Sequence, residues 1–231
     1  MLIVALVSQK GGAGKTTLAG HLAVEAERSQ AGPVALVDAD PQGSLAEWWN
    51  DRAANTPVFV HTSMARLHDD LDRMRDLGIK ILIIDTPPAI TATIGKVVAI
   101  SDLVVVPTRP SPHDFRSVVR TVDLVEQYGK PMVFVINGAH PTARITNQAV
   151  IALSQHGTLA PAIIHQRTDF ASSMIDGRTV MEQKRKTRSA GEIGVLWEYL
   201  QRRLERGLMR PLPVPLEGAI LDPEPSRQHF G

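Results

Sequence analysis

SQKGGAGKTT, residues 8–17, carries glycines at 11, 12 and 14 and lysines at 10 and 15, and its reading decides the fold. The common phosphate-loop pattern, G-x-x-x-x-G-K-[ST], accounts for Gly14, Lys15 and Thr16, but its first glycine would fall at position 9, where the chain has Gln9. An apolar run, LIVALVS, precedes the loop and an apolar helical segment, TTLAGHLAV, follows it. Strand, glycine turn and helix in that order aim backbone N–H groups and a helix N-terminus at one point, where an anion is stabilised. Gly11, Gly12, Ala13 and Gly14 let the backbone approach a phosphate closely, Lys15 supplies charge to the β/γ-phosphates, and the hydroxyl of Thr16, next to Thr17, suits Mg²⁺. The expected ligands are the phosphates of a nucleotide and Mg²⁺. Lys10 has no place in the common pattern.

Outward from the loop, short runs rich in Val, Ile and Leu alternate with helical segments. They fall at residues 2–8, 34–38, 57–61, 80–85, 102–107, 131–137 and 160–164. Continuously apolar strands of this kind are buried on both faces, which predicts an α/β fold: a doubly wound, mostly parallel sheet flanked by helices. Ligands of such sheets bind at the carboxyl ends of the strands. Asp85 closes KILIID, the position of a Walker B carboxylate that holds Mg²⁺, and Asp38 and Asp40 follow VALV.

Composition limits the alternatives. With 231 residues, 43% of them hydrophobic, one sizeable core is expected. The absence of cysteine excludes disulfides, thiolate zinc sites and cysteine-held iron–sulfur clusters. No basic region precedes the apolar N-terminus and no apolar run approaches the ~20 residues of a bilayer span, so a cytoplasmic location is expected. Five prolines between 211 and 225 mark a change of character, which predicts a folded domain over 1–206 and an extended or disordered Pro-rich tail over 207–231.

KGGAGKTT, VDADPQGS and IIDTPP, in this order and spacing, resemble the deviant Walker A ATPases of the ParA/MinD family. PTRPSPHDF and HQRTDFASSMIDGRTVMEQ resemble the small plasmid-partition ParA proteins, and the likeness covers about residues 1–206. The resemblance implies a role for Lys10, which would reach across an ATP-bound homodimer to the partner's phosphates. It also implies that Asp40 positions the attacking water, that Asp38 lies near the metal, and that Asn137 reads adenine. It implies slow hydrolysis accelerated by a ParB-like centromere-binding protein or a cargo adaptor, with PTRPSPHDFRSV as a loop that couples partner to nucleotide.

Two function classes follow. One is an ATP-switched dimer that binds DNA nonspecifically, associates with the nucleoid and partitions a plasmid, chromosome region or other cargo. The other is a MinD-like or cargo-positioning ATPase that acts on a membrane or protein complex without DNA. A formal net charge of +1 gives no overall basic field, so DNA affinity would have to come from a local patch. The candidates are Lys184, Arg185, Lys186 and Arg188, followed by Arg202 and Arg203. In GVLWEYLQRRLERGLMR, Val195, Leu196, Tyr199, Leu200 and Leu204 form an apolar stripe expected to pack on the sheet rather than lie on a membrane.

Overall fold

The computed structural model describes residues 1–89, 92–141, 143–183 and 187–208. Seven strands form one sheet: β1 (Leu2–Leu6), β2 (Val34–Asp38), β3 (Val58–Phe59), β4 (Ile81–Asp85), β5 (Leu103–Thr108), β6 (Met132–Ala139) and β7 (Leu159–His165). They lie in the order β3-β2-β4-β1-β5-β6-β7 and every neighbouring pair is parallel. All seven apolar runs in the sequence are strands. Their β-branched residues suit a pleated surface buried on both sides.

Period-two alternation divides the core between the two faces. Val4 and Leu6 of β1 face one layer, and Ile3, Ala5 and Val7 the other. The first layer is made by α1 (Lys15–Arg28), α2 (Ser44–Asn50) and α8 (Arg188–Leu208), with Leu18, Leu22, Trp48, Trp197 and Leu200 as its fillers. The second is made by α3 (Leu67–Asp76), α4 (Ala92–Ile100), α5 (Pro112–Gln127) and α6 (Arg144–Ser154). A short α7 (Thr168–Met174) and a single 3₁₀ turn, Val180–Glu182, lead towards α8.

The α8 stripe packs on the sheet as the sequence predicts, but its membership shifts: Ile193 and Trp197 join it, Tyr199 is partly buried and Val195 drops out. Ile193, Leu196, Trp197, Leu200 and Leu204 are buried, whereas Val195 is half exposed. Among the described residues no helix is long and apolar enough to cross a membrane.

The topology fixes where the chemistry sits. From β1 the chain crosses to β2 on one side, and from β4 it crosses β1 to reach β5 on the other. The strand order reverses beside β1, and a doubly wound sheet opens its ligand crevice at that point. Residues 8–17 lie there.

Candidate nucleotide site

The loop after β1 turns through Gly12 at φ +77° and Gly14 at φ +91°, both in the left-handed region that glycine tolerates. Gly14 is the N-cap of α1 and offers no side-chain cap, so the first-turn N–H groups of that helix are not spent on a capping side chain. Gly14 is required for a second reason. A Cβ there would lie 2.1 Å from the Asn137 amide nitrogen, which donates to the Ala13 carbonyl at 2.7 Å. Asn137, at the end of β6, therefore braces the loop from above.

Lys15 is buried, and its ammonium donates to the Ser8 carbonyl at 3.3 Å. Burial pulls it below the usual lysine range, while the charges of Asp85 and Asp40 push back. Thr16 donates its hydroxyl to Asp85 Oδ2 at 2.5 Å. The other oxygen of Asp85 is buried and has no hydrogen-bond partner among the described residues. Burial pushes the Asp85 carboxyl up to about 7; Asp38 and Asp40 add to the rise, against the Thr16 hydroxyl and Lys15. Lys15, Thr16, Asp38, Asp40 and Asp85, far apart in sequence, thus share one electrostatic neighbourhood.

Asp38 is engaged by backbone N–H groups. Its Oδ1 accepts from the N–H of Asp40 at 3.0 Å, and its Oδ2 accepts from Leu45 and Ala46 at 2.9 and 3.1 Å. It caps α2, whose own N-cap, Gly43, has no side chain to do so. Burial nevertheless raises its carboxyl above the usual range, with the three N–H donors opposing. Asp40 is half-buried, and among the described residues its side chain accepts only from Gln42 N–H, at 3.0 Å. It lines an open cavity of about 350 Å³ together with Asp38, His61, Thr62 and Arg66.

Lys10 reaches across the loop to Asp114, 2.5 Å from its Oδ2. PTRPSPHDF is not the loop the sequence suggests. Ser111 caps α5, accepting from Asp114 N–H at 3.2 Å, with Pro112 at the first helical position. The Ser-Pro-x-Asp spacing is the signal that would have found this helix start. Ser8, whose carbonyl steadies Lys15, carries no such signal.

Among the described residues, the basic candidates Arg188, Arg202 and Arg203 are not brought together. Lys184, Arg185 and Lys186, and the chain from residue 209, lie outside the described residues. Arg188 is exposed at the start of α8. Arg202 and Arg203 lie about 21 Å along that helix at 1.5 Å per residue, at the opposite end of the sheet. Arg202 pairs with Glu198, and Arg203 lines a cavity of about 460 Å³ with Asp102, Lys130 and Arg206.

A phosphate loop with a Thr16–Asp85 pair thus lies at the reversal point of a parallel sheet. Residues 4–180 match the CobQ/CobB/MinD/ParA nucleotide binding domain. The chain belongs to this family. It is a ParA/MinD-like ATPase with the P-loop fold. Maintenance of carboxysome distribution protein A from Halothiobacillus neapolitanus is 27% identical over 203 residues, covering 82% of this chain and 91% of that protein. A plasmid partition protein from Borrelia burgdorferi bound to AMPPNP superposes with a TM-score of 0.68 at 18% identity, covering 87% of this chain and 99% of that one. The septum site-determining protein MinD of Pyrococcus horikoshii, complexed with Mg-ADP, gives 0.72 at 14% identity, covering 89% and 98%.

Proposed function

We propose that this chain is an ATP-switched positioning ATPase. It binds Mg-ATP, dimerises with Lys10 of each subunit on the partner's phosphates, and distributes a cargo over the nucleoid by nonspecific DNA binding. A ParB-like centromere-binding protein or cargo adaptor accelerates its slow hydrolysis. The observation that carries the nucleotide chemistry is the Thr16–Asp85 pair with its unpartnered buried oxygen beside Lys15. Likeness along nearly the whole length of a carboxysome-distribution protein supports positioning as the purpose.

The donor set fits a magnesium nucleotide. Thr16 and Asp85 are hard oxygen ligands, and among the described residues no cluster of three or more His, Cys, Asp or Glu side chains could hold a metal alone. Most of the ligands must then come from phosphate and water, as magnesium prefers. Bound there, Mg²⁺ would neutralise charge on the β- and γ-phosphates. Lys15 and the N–H groups of residues 11–16 bind and orient the phosphates. Asp40, half-buried at an open cavity and accepting from Gln42 N–H, is placed to orient the attacking water. Asp38, spent on backbone, holds α2 and thereby the Asp40 loop in place. Asn137, by steadying Ala13 and Gly14, keeps the adenine side of the site in shape.

DNA contact is assigned to the Arg188 end of α8, directly after Lys184–Lys186 in the chain. Arg202 is already paired and points to the other end of the molecule. The test uses Asp40→Ala, expected to bind ATP without turning it over, and Lys15→Ala, expected to lose ATP. DNA retention by Asp40→Ala with ATP and none by Lys15→Ala is the expected result, weakening with salt at a log–log slope near 0.9 per phosphate contacted. Hydrolysis by Asp40→Ala at the wild-type rate would refute the water-positioning role. ATP binding without DNA retention would leave the cargo-positioning class that does not use DNA.

A further inference from the structure

We propose that Asp114 is a positioning residue for Lys10, one that holds it in its own subunit and so sets the threshold for dimerisation. This inference rests on the trans-acting role proposed for Lys10. In the single chain Lys10 is already engaged: its ammonium lies 2.5 Å from Asp114 Oδ2, with the lysine side chain 39% exposed and the aspartate side chain 3% exposed. A partly solvated cation therefore sits on a carboxylate that the protein has removed from water.

The surroundings of Asp114 make Lys10 its principal counter-charge. The Ser111 hydroxyl donates to the same Oδ2, and the first turn of α5 favours a negative group through its free N–H ends. Among the described residues, no other cation lies within salt-bridge distance of Asp114. Arg116, two residues along the helix, is exposed. Withdrawing Lys10 leaves Asp114 with its hydrogen bonds and the helix N-terminus, and with Lys10 itself partly in water the hold is a modest one that phosphates can outcompete.

The contact also spans two elements that a nucleotide dimer has to arrange. Lys10 belongs to the loop after β1, and Asp114 to the helix after β5, its neighbour in the sheet. One ammonium charge is then contested by a carboxylate of its own chain and by the phosphates of another. A nucleotide prevails only if it offers more negative charge at that spot than Asp114 does. ATP offers a γ-phosphate that ADP lacks, so the carboxylate would act as a filter on nucleotide state, and a ligand shifts such an equilibrium only by its differential affinity.

Each dimer needs two releases, so the fraction of free lysine enters squared. If Lys10 is free in roughly a third of single subunits, removing the hold tightens the dimer about tenfold. The experiment measures the dimer dissociation constant by sedimentation in the Asp40→Ala background, with ATP and with ADP, for Asp114→Asn, Lys10→Ala and the pair together. The expected result is a roughly tenfold tighter ATP dimer for Asp114→Asn and a smaller gap between ATP and ADP. Asp114→Asn should bring no further change once Lys10 is alanine, an epistasis that a purely structural role for Asp114 would not produce. If Asp114→Asn melts well below its parent, Asp114→Ser, which adds no bulk to the first turn of α5, carries the same comparison. An unchanged or weaker dimer in a folded Asp114 variant overturns the proposal while leaving trans-acting Lys10 intact, provided that Lys10→Ala weakens the dimer. Should Lys10→Ala leave the dimer unchanged, the trans role itself falls, and this inference with it.

Discussion

Asp38 and Asp85 are register partners at the carboxyl ends of β2 and β4, and the protein employs them in opposite ways. Both end an apolar strand and both are pushed up by burial. Asp38 has three backbone N–H groups on its two oxygens, enough to compensate a charge without any ligand. Asp85 has one hydroxyl and a bare buried oxygen. The difference teaches how a site can be recognised. Full satisfaction suits a carboxylate that builds structure, whereas an unpartnered buried oxygen calls for an explanation, which the function proposed above supplies as a ligand.

The largest expected effect comes from removing the charge of the underserved partner. Asp85→Asn should lower Mg-ATP turnover about 100-fold or more, equivalent to about 2.7 kcal/mol of barrier, because the developing phosphate charge loses its metal anchor. Steady-state hydrolysis measured across a magnesium titration checks this. Turnover within a few-fold of wild type would make Asp85 no more of a ligand than Asp38.

Next in size is a pH effect on the ligand-free protein. The folded pKa of Asp85 is about 7 against an ordinary 3.8, so between these values the native state keeps a proton that the unfolded chain has released. The stability this gives is complete below about pH 4 and is lost as pH rises through 7. Asp85→Asn, neutral throughout, should therefore match wild type near pH 4 and exceed it at pH 8 by something on the order of 3 kcal/mol. Denaturant melts of both proteins at the two pH values measure the gap. A constant gap would show that the carboxyl is not held protonated. His21, buried with Nδ1 on the Thr17 carbonyl and pushed down to about 4, works in the opposite direction, its contribution being lost as pH falls from 6.5 towards 4. It is common to both proteins and drops out of the difference.

The smallest effect belongs to the satisfied partner. Asp38→Ala should cost about 1–3 kcal/mol of stability by uncapping α2 and leaving three N–H groups short of an acceptor. Its effect on turnover should arise through the Asp40 loop and leave the magnesium dependence unchanged. A shift in the magnesium requirement as large as that of Asp85→Asn would erase the distinction between the two aspartates.

Much of this was legible in the sequence, for reasons that are local. Seven strands announce themselves because a segment buried on both faces has to be apolar throughout. The phosphate loop announces itself because positive φ and close approach to an anion demand glycine at fixed places, as at Gly12 and Gly14. Both are properties of short stretches of chain. The sequence also brought Asp38, Asp40 and Asp85 to the same edge, since strand ends in a parallel sheet converge.

What it could not reveal is how those side chains are spent. That Asp38 caps α2, that Asp85 keeps one oxygen bare, that Lys10 rests on a residue 104 positions away and that Asn137 makes Gly14 obligatory are facts about which groups meet across elements. The separation of Arg202 and Arg203 from Arg188 depends on structure too, because residues 14 apart on one continuous helix lie about 21 Å apart. Residue type and spacing determine which groups are available for charge and hydrogen bonding. Only the tertiary structure decides how many partners each group finds, because burial removes water as the universal partner and every remaining contact then depends on packing.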